Sequence, residues 1–588
     1  MRVAFDIETD GLLRGLSVIH CIVAQDLDTG EVHRFDGLGE LPSIRDGLQL
    51  LRNADELWGH NIIGYDIEAI KELYPKWSPK GLVRDTLILS RLLFTDIRDR
   101  DFRSRPVNMP AQLYGRHSLE SWGHRLNVHK SEFGKTLNND WSTYSPEMLD
   151  YCAQDVVVSV ELVKMFEPKL DIYQAAIETE HKSAEILAAQ ETSGFPFDVE
   201  GAQRLEGKLR TEMEQLSDQM RDTFAFVDGG EMVPKRNNKT KGYHEGCAFT
   251  KLKDFNPTSR FHIAWAFQTF RGWEPTELTE AGKPKIDESV LSSLGTDEAQ
   301  AFGRILELQK HLGQISEGQN AWLKKVEADG CIRHSCVLNT NTGRNAHMRP
   351  NLGQVPSGPE YRVLFKPFEG HVQVGSDASG LELRCLSHYL APFDGGKFAK
   401  EVVEGDIHTA LAEIYGTDRK SGKGVTYCLI YGGGNTKLGL TAGASKSEAA
   451  RKGANIRKRI MEGLDGFADL SSAIAARAES GVLKGLDGRP IRLQGKQHAA
   501  LNYLLQSSGA IICKSWMIRV NELLQEAGIT YHQLAFVHDE VQLSVTEDQA
   551  QMAADLTNLA MKDVEHRYHF RCPLDSEYQI GASWADCH

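Results

Sequence analysis

The chain has 588 residues, 41% hydrophobic and 25% charged, the balance of an ordinary soluble protein several domains long. No apolar run approaches membrane-spanning length, and Asp6 and Glu8 inside the only early apolar run exclude a secretory signal. A net charge of -14 argues against a nucleic-acid binder only as an average, because such binding depends on local basic surface. Two basic clusters exist, Lys235, Arg236, Lys239 and Lys241 in a polar stretch and Arg451, Lys452, Arg457, Lys458 and Arg459 in another. Each alone reads as a solvated face. The ten cysteines show no Cys-x-x-Cys pair and no zinc-like histidine spacing beside them, which predicts reduced thiols in a cytoplasm.

Arg2 to Asp10 reads as a strand with Asp6 and Glu8 two apart, hence on one face. Two adjacent carboxylates repel, and a divalent cation between them relieves the repulsion. The Asp-x-Glu pattern is weak alone, since it recurs at Asp66/Glu68, Asp198/Glu200, Asp563/Glu565 and Asp575/Glu577. Its N-terminal copy gains weight from two later segments. Asn61, Tyr65 and Asp66 lie in a loop entering a helix, and Tyr151 and Asp155 stand four apart on one helix face. Together the three segments resemble the DEDD superfamily of 3′-5′ exonucleases, in its tyrosine-containing branch, over roughly residues 1–175. The resemblance implies a ribonuclease-H-like domain in which Asp6, Glu8, Asp66 and Asp155 hold two metal ions and Tyr151 orients the attacking water.

From Asp198 the pattern turns to long helices. Leu205, Leu209, Met213, Leu216 and Met220 make one apolar seam, and Phe302, Ile305, Leu308, Leu312 and Ile315 a second. With an irregular basic and Gly-rich stretch between them, from Asp228 to about Pro257, the seams predict an antiparallel intramolecular arm; a coiled-coil dimer is the alternative. Asn341 to Arg344, Arg349 and the subsequent Asn351 to Pro356 form a polar, basic loop with no internal sign of its role.

Val372 and Val374 alternate into Asp377, which predicts a buried strand ending on a carboxylate, then a Gly-containing bend and a Leu381 to Arg384 segment of helical character. Gly405 to Thr409 reads as a helix start. Arg419, Lys423, Tyr427 and Tyr431 step by four along the next helix, a stripe drifting about 40° per step. Two cations and then two rings suit a nucleotide, with phosphates at one end and base and sugar at the other. Val425, Leu429 and Ile430 pack the opposite side, Gly422 and Gly424 cost helix stability, and the Gly432 to Gly434 triplet ends the helix. Leu534 to Val545 reads as a β-hairpin with His538, Asp539 and Glu540 at its turn.

In this order the segments at Asp377 to Arg384, Arg419 to Gly432 and His538 to Glu540 resemble the three motifs of family A (DNA polymerase I-type) DNA polymerases. Gly485 to Arg489, Gln506 to Ala510 and Trp584 to His588 are most similar to replicative polymerases of short-tailed bacteriophages, and the resemblance covers essentially the whole chain. It implies an α+β multidomain protein: a ribonuclease-H-like 3′-5′ exonuclease domain over 1–178, then a right-hand polymerase with thumb and connecting helices over 179–330, palm over 331–394, fingers over 395–499 and palm again over 500–588. Asp377 and Asp539 would hold two Mg2+ ions, as would the exonuclease carboxylates, with Mn2+ as a substitute. Arg419 and the catalytic Lys423 would grip the triphosphate with His408 nearby, and Glu382 would exclude a ribose 2′-hydroxyl. Tyr427 would face the sugar, and Tyr431 the template base. Arg344, Gln506 and His538 would surround the primer terminus and its minor groove, with Glu540 in support.

The implied partners are primer-template DNA, dNTPs, a helicase and a single-strand-binding protein, for a monomer in the cytoplasm, that of a bacterial host if phage-encoded. The phage relatives carry a long thumb insertion that binds host thioredoxin. Here only Phe226 to Phe255 fills that stretch, which puts thioredoxin dependence in doubt and leaves Lys235 and Arg236 to touch the duplex. Nothing before Phe5 leaves room for a 5′-nuclease domain. The alternative reading is a free-standing 3′-5′ exonuclease with a non-catalytic polymerase-like half.

Overall fold

The computed structural model describes residues 1–38, 41–128, 141–275, 277–338 and 340–588. The chain forms two compact units: one of 1–195, 334–355 and 366–588, the other of 196–333 and 356–365.

The larger unit opens with a five-stranded mixed sheet, in the order Val32–Asp36, Ile19–Asp26, Arg2–Thr9, Glu56–Gly59, Leu82–Asp85. Arg2–Thr9 sits at its centre, antiparallel to Ile19–Asp26 and parallel to Glu56–Gly59. Alternation sends its residues to two faces: Val3, Phe5 and Ile7 enter one apolar core, and Ala4 enters another with Cys152 and Val156 of the helix Pro146–Phe166. Asp6 and Glu8 share the parity of Ala4, so they meet that helix.

The second sheet of this unit is wholly antiparallel, in the order Tyr531–Val537, Glu540–Thr546, His371–Ala378, Ser576–Gly581. Beneath it lie the helices Ala500–Glu526 and Ala550–Arg567. The first is apolar on most sides and buried along most of its length, as a helix without a solvent face must be. Its Trp516 indole donates to Thr557 O at 2.8 Å, and the Thr557 hydroxyl reaches Ser376 on the central strand at 3.0 Å. A run of helices, including Ile407–Tyr415, Arg419–Ile430, Asn435–Thr441 and Ala449–Gly463, separates the sheet's first strand from the rest.

The second basic cluster has a structural role that composition does not reveal. Arg459 donates to Tyr415 O at 3.1 Å, Lys452 to Ala442 O at 2.7 Å, and Arg457 to Gly433 O. Each carbonyl lies at or just beyond the C-terminus of a neighbouring helix, where orphan acceptors attract cations.

In the smaller unit the helices Val199–Thr223 and Asp297–Leu312 run antiparallel, as the seams predict. Phe224 stands 6.0 Å from Phe302, and Arg304 donates two hydrogen bonds to Glu212 at 2.7 and 3.0 Å. Phe302, Ile305, Leu308, Leu312 and Ile315 are all fully buried. The stretch from Asp228 to Pro257 is not irregular. It contains an antiparallel hairpin, Phe226–Met232 with Phe249–Asp254, whose register shifts between Asp228 and Glu231. Among the residues of the two strands only Val227 is buried, so they carry no alternating apolar signal to read.

All ten cysteines are free thiols. The lack of zinc-like spacing in the sequence does not carry over to space: His334, Cys336 and His347 bring their donor atoms within 4.8 Å of one another. No helix among the described residues is long and apolar enough to cross a membrane.

Candidate active sites

Asp377 lies near the end of His371–Ala378, opposite Glu540 in the antiparallel register. The turn between Tyr531–Val537 and Glu540–Thr546 presents Asp539, and Ala378 N–H donates to its carbonyl at 3.0 Å. His538 takes the left-handed conformation that this tight turn requires, and its Nε2 lies 3.2 Å from Gly353 O. Burial and then the Asp539 and Glu540 charges push the Asp377 carboxyl up to about 7. Burial, then Glu382, raises Asp539 as well. Burial and neighbouring carboxylates disfavour ionisation at both positions, and oxygen donors of this kind fit a hard divalent cation. Glu540 is otherwise engaged: it accepts from the Trp584 indole and the Gln542 amide, and His588 Nδ1 lies 3.1 Å from its other oxygen.

Gly380, with φ of 57°, turns the chain after Asp377 into the helix Leu381–Asp394, which carries Glu382. Arg419–Ile430 starts at the Asp418 N-cap, and its stripe assembles as predicted. Arg419 is exposed and donates to Asp406 at 2.8 Å, the N-cap of Ile407–Tyr415. Burial, then the Lys423 and Arg419 charges, lowers the pKa of His408. The His408 and Tyr427 rings are 6.3 Å apart, and the Tyr427 and Tyr431 rings stack at 6.4 Å. Val425 and Ile430 on the other side are fully buried, as the pattern requires. Gly422, which helix propensity alone disfavours, lies against Ala412 of the neighbouring helix; a Cβ there would stand 2.6 Å from the Ala412 Cβ.

The stripe reaches the carboxylates through Tyr431, whose hydroxyl donates to Glu382 Oε1 at 2.6 Å. Arg344, in the connection between Ser335–Val337 and Ala346–Met348, places its guanidinium 5.9 Å from the Tyr431 ring and 3.6 Å from Glu382. A cavity of about 400 Å³ is lined by Arg344, Glu382, Tyr431, His538 and Asp539, among others. Gln506 is half-buried on Ala500–Glu526, a turn from Asn502, whose amide donates to Ile430 O at 2.7 Å, and from Gly509 on the cavity wall. Lys235 and Arg236 are exposed in the connection of the hairpin in the smaller unit.

A second carboxylate cluster assembles on the first sheet. Asp66 begins the helix Asp66–Leu73 and accepts from Ile7 N–H at 3.2 Å, between Asp6 and Glu8. Burial lifts the Asp66 carboxyl to about 7, with Asp85 and Asp155 adding to the rise. On Pro146–Phe166, Asp155 is buried, Tyr151 lies 5.9 Å from the Trp141 ring, and Cys152 donates to Asp6 O at 3.3 Å. The Cys152 sulfur also lies within 4.8 Å of carboxylate oxygens of Asp6 and Glu8. Acids crowded into a buried corner fit divalent cations here too.

Sequence reading missed Asp85. Its buried carboxylate caps the helix Thr86–Leu93 and accepts from Asn61 N–H at 2.9 Å and Ile63 N–H at 3.1 Å, bending the loop that delivers Asp66. Those partners are backbone groups, which leave no trace in side-chain patterns.

A model of DNA polymerase family A matches residues 235–586. The DNA-directed DNA polymerase of Escherichia phage T7 is 33% identical over 724 aligned residues, spanning 100% of both chains. That of Enterobacteria phage T3 is 32% identical over 714, spanning 99% of each. Both alignments exceed the 588 residues of this chain, so these relatives carry segments that it lacks. A solved structure described as the POL domain of Pol1 from M. smegmatis in complex with DNA primer-template and dNTP has a TM-score of 0.73 at 18% identity. It covers 99% of this chain and 96% of that chain, a likeness of fold.

Proposed function

The chain belongs to DNA polymerase family A and is a DNA-directed DNA polymerase; from that premise we propose that it is a replicative enzyme with two separate active sites. Asp377 and Asp539 serve nucleotidyl transfer, and Asp6, Glu8, Asp66 and Asp155 serve 3′-5′ proofreading. The observation that carries the first assignment is the meeting of Asp377 and Asp539 on adjoining strand ends, with Asp539, Glu382 and Tyr431 lining one cavity.

At each site the carboxylates would hold two Mg2+ ions, which supply activation of the attacking oxygen and neutralise charge on the leaving group. The chain's own residues do the rest. Arg419 and Lys423 bind the triphosphate; Arg419 exchanges Asp406 for phosphate, a small cost at an exposed site. Lys423 and His408 stand beside the developing charge of the pyrophosphate. Tyr427 faces the sugar and Tyr431 the template base. Glu382, oriented by the Tyr431 hydroxyl, occupies the space a ribose 2′-hydroxyl needs. Arg344, Gln506 and His538 face the primer terminus, where minor-groove acceptors common to every correct pair allow geometry to be checked.

At the second site Tyr151 orients the attacking water. Lys235 and Arg236 contact backbone phosphates of the duplex. The short stretch from Phe226 to Phe255 favours synthesis without thioredoxin. The ligands are primer-template DNA and dNTPs, the pair named in the M. smegmatis complex. A helicase and a single-strand-binding protein are the expected fork partners of a monomeric enzyme. On this reading the divisions 1–178, 179–330, 331–394, 395–499 and 500–588 are exonuclease, thumb, palm, fingers and palm.

The test is a double dissociation. Asp377→Ala or Asp539→Ala should lower primer extension at least about a thousandfold, several kcal/mol of lost transition-state stabilisation, and leave single-strand degradation intact. Asp6→Ala with Glu8→Ala should do the reverse. Loss of both activities from either variant rejects two independent sites. Extension on a long single-stranded template, with and without thioredoxin, should give the same product length in both.

A further inference from the structure

The hairpin Ser335–Val337 with Ala346–Met348 pairs Cys336 directly with His347. Residues two apart on extended chain share a face, so His334 falls on the same side as Cys336. Cys336 Sγ lies 3.3 Å from His347 Nδ1, the His334 and His347 rings are 5.7 Å apart, and the three donor atoms fall within 4.8 Å of one another. Tetrahedral zinc, with bonds of about 2.0–2.3 Å, sets its donors roughly 3.3–3.8 Å apart. The Cys336–His347 pair is therefore already at that spacing, and His334 needs a side-chain shift of at most about 1 Å.

The donor set selects the cation. Two imidazoles and a thiol suit a borderline divalent metal of the zinc class and not Mg2+, which takes oxygen. Gln190 Nε2 donates to His334 Nε2 at 3.2 Å and Gln190 Oε1 accepts from the Gln533 amide at 2.9 Å; ligation through His334 Nδ1 moves the ring proton to Nε2 and requires the Gln190 amide to turn so that its oxygen accepts it. The plainer account is a half-buried S–H···N hydrogen bond beside a packed histidine. It explains the Cys336–His347 contact but not the convergence of a third donor.

We propose that His334, Cys336 and His347 bind one zinc-class divalent cation, with a fourth position left to water, and that the cation clamps the base of the hairpin whose connection carries Arg344. Binding replaces the Cys336 S–H bond with a sulfur–metal bond and releases that proton to solvent, with no change of oxidation state.

Cobalt is the probe. The full chain carrying Cys247→Ser, which removes the exposed thiol, is titrated with Co2+. The expected result is a thiolate-to-cobalt charge-transfer band with intense tetrahedral d–d absorption, saturating at one equivalent with one proton released, and absent after Cys336→Ser. Oxygen-only sites give no such band, and a Cys152→Ser background, used in parent and variant alike, removes the thiol that lies beside Asp6 and Glu8. Absence of the band in the parent, or its survival in Cys336→Ser, overturns the proposal. X-ray absorption of the parent loaded with one equivalent of zinc needs no variant at the site: a shell of one sulfur and two imidazoles supports the site, and an all-oxygen shell overturns it.

Discussion

Glu382 and Tyr431 come from different helices and meet through one hydrogen bond of 2.6 Å, while Arg344 sits 3.6 Å from the same carboxylate. If Glu382 excludes ribonucleotides, the Tyr431 hydroxyl is what aims it. Tyr431→Phe should therefore raise ribonucleotide incorporation about tenfold, the loss of one hydrogen bond to a charged group. The measurement is the ratio of kcat/KM for a deoxynucleotide and its ribonucleotide; an unchanged ratio rejects the role. His181 and Asp85 pose a different residue-scale question. His181 Nε2 accepts from Asp85 N–H at 2.9 Å, and its Nδ1 lies 2.8 Å from Ile177 O, which fixes a neutral tautomer. Burial holds its pKa near 4. Between the ordinary histidine value and 4 the unfolded chain binds a proton that the folded chain does not. Stability is therefore lost as pH falls through that window, by up to roughly 3 kcal/mol. Asp66 and Asp377, raised to about 7, act with the opposite sign, so the comparison must be with a variant. His181→Gln should be less stable at pH 7 yet show a flatter loss of urea midpoint between pH 7 and pH 5. The capping half of Asp85 is a local signal, but its bonds to Asn61 and Ile63 N–H, and that of His181 to Asp85 N–H, join positions far apart in the chain and leave no pattern in the sequence.

At the scale of elements, legibility depends on where the signal lies. The strand into Asp377, the stripe from Arg419 to Tyr431 and the His538–Asp539 turn each carry a local pattern, buried on one side and chemically marked on the other, and each forms where predicted. The hairpin of Phe226–Met232 and Phe249–Asp254 is mostly exposed and so carries no periodicity. The cations Lys452, Arg457 and Arg459 satisfy carbonyls of other helices, a relation only the fold creates. Gly422 lies between these cases. Its cost to the helix is visible in sequence; the reason for it, contact with Ala412, is not. Gly422→Ala gains about 1 kcal/mol of helix propensity. It must also separate two helices whose atoms would come to 2.6 and 2.9 Å, and overpacking of that kind costs about 1–3 kcal/mol. The second effect should win. Because the shift moves Arg419 and Lys423 relative to His408, the variant should show a raised KM for dNTPs with unaltered single-strand degradation. An unchanged KM means that the two helices separate without disturbing the stripe.

The larger unit joins its first sheet to its second through the helix Gln174–Ser193, and the joint contains buried charge. Glu180, fully buried, bonds Lys514 of Ala500–Glu526 at 2.7 and 2.9 Å and pairs with Arg489 at 2.7 Å; Arg489 also pairs with Asp487 at 2.6 Å. Two carboxylates and two cations balance, with almost no exposure to water. Nothing in the sequence marks Glu180, one of several acids on a helix of weak amphipathicity, because its meaning comes from partners more than three hundred positions away. Burying four charges need not add stability over an apolar core, but removing one leaves a desolvated excess charge, at a cost of about 3–5 kcal/mol. Glu180→Gln should accordingly raise hydrogen exchange in both Gln174–Ser193 and Ala500–Glu526 and lower the urea midpoint, even though the substitution conserves shape. Adding Lys514→Met removes the stranded ammonium, so the double variant should be more stable than Glu180→Gln alone. A double variant that is worse than the single one would mean that packing, not charge balance, holds this joint. A Glu180→Gln cost below about 1 kcal/mol, the level of an exposed pair, would mean that water reaches the cluster.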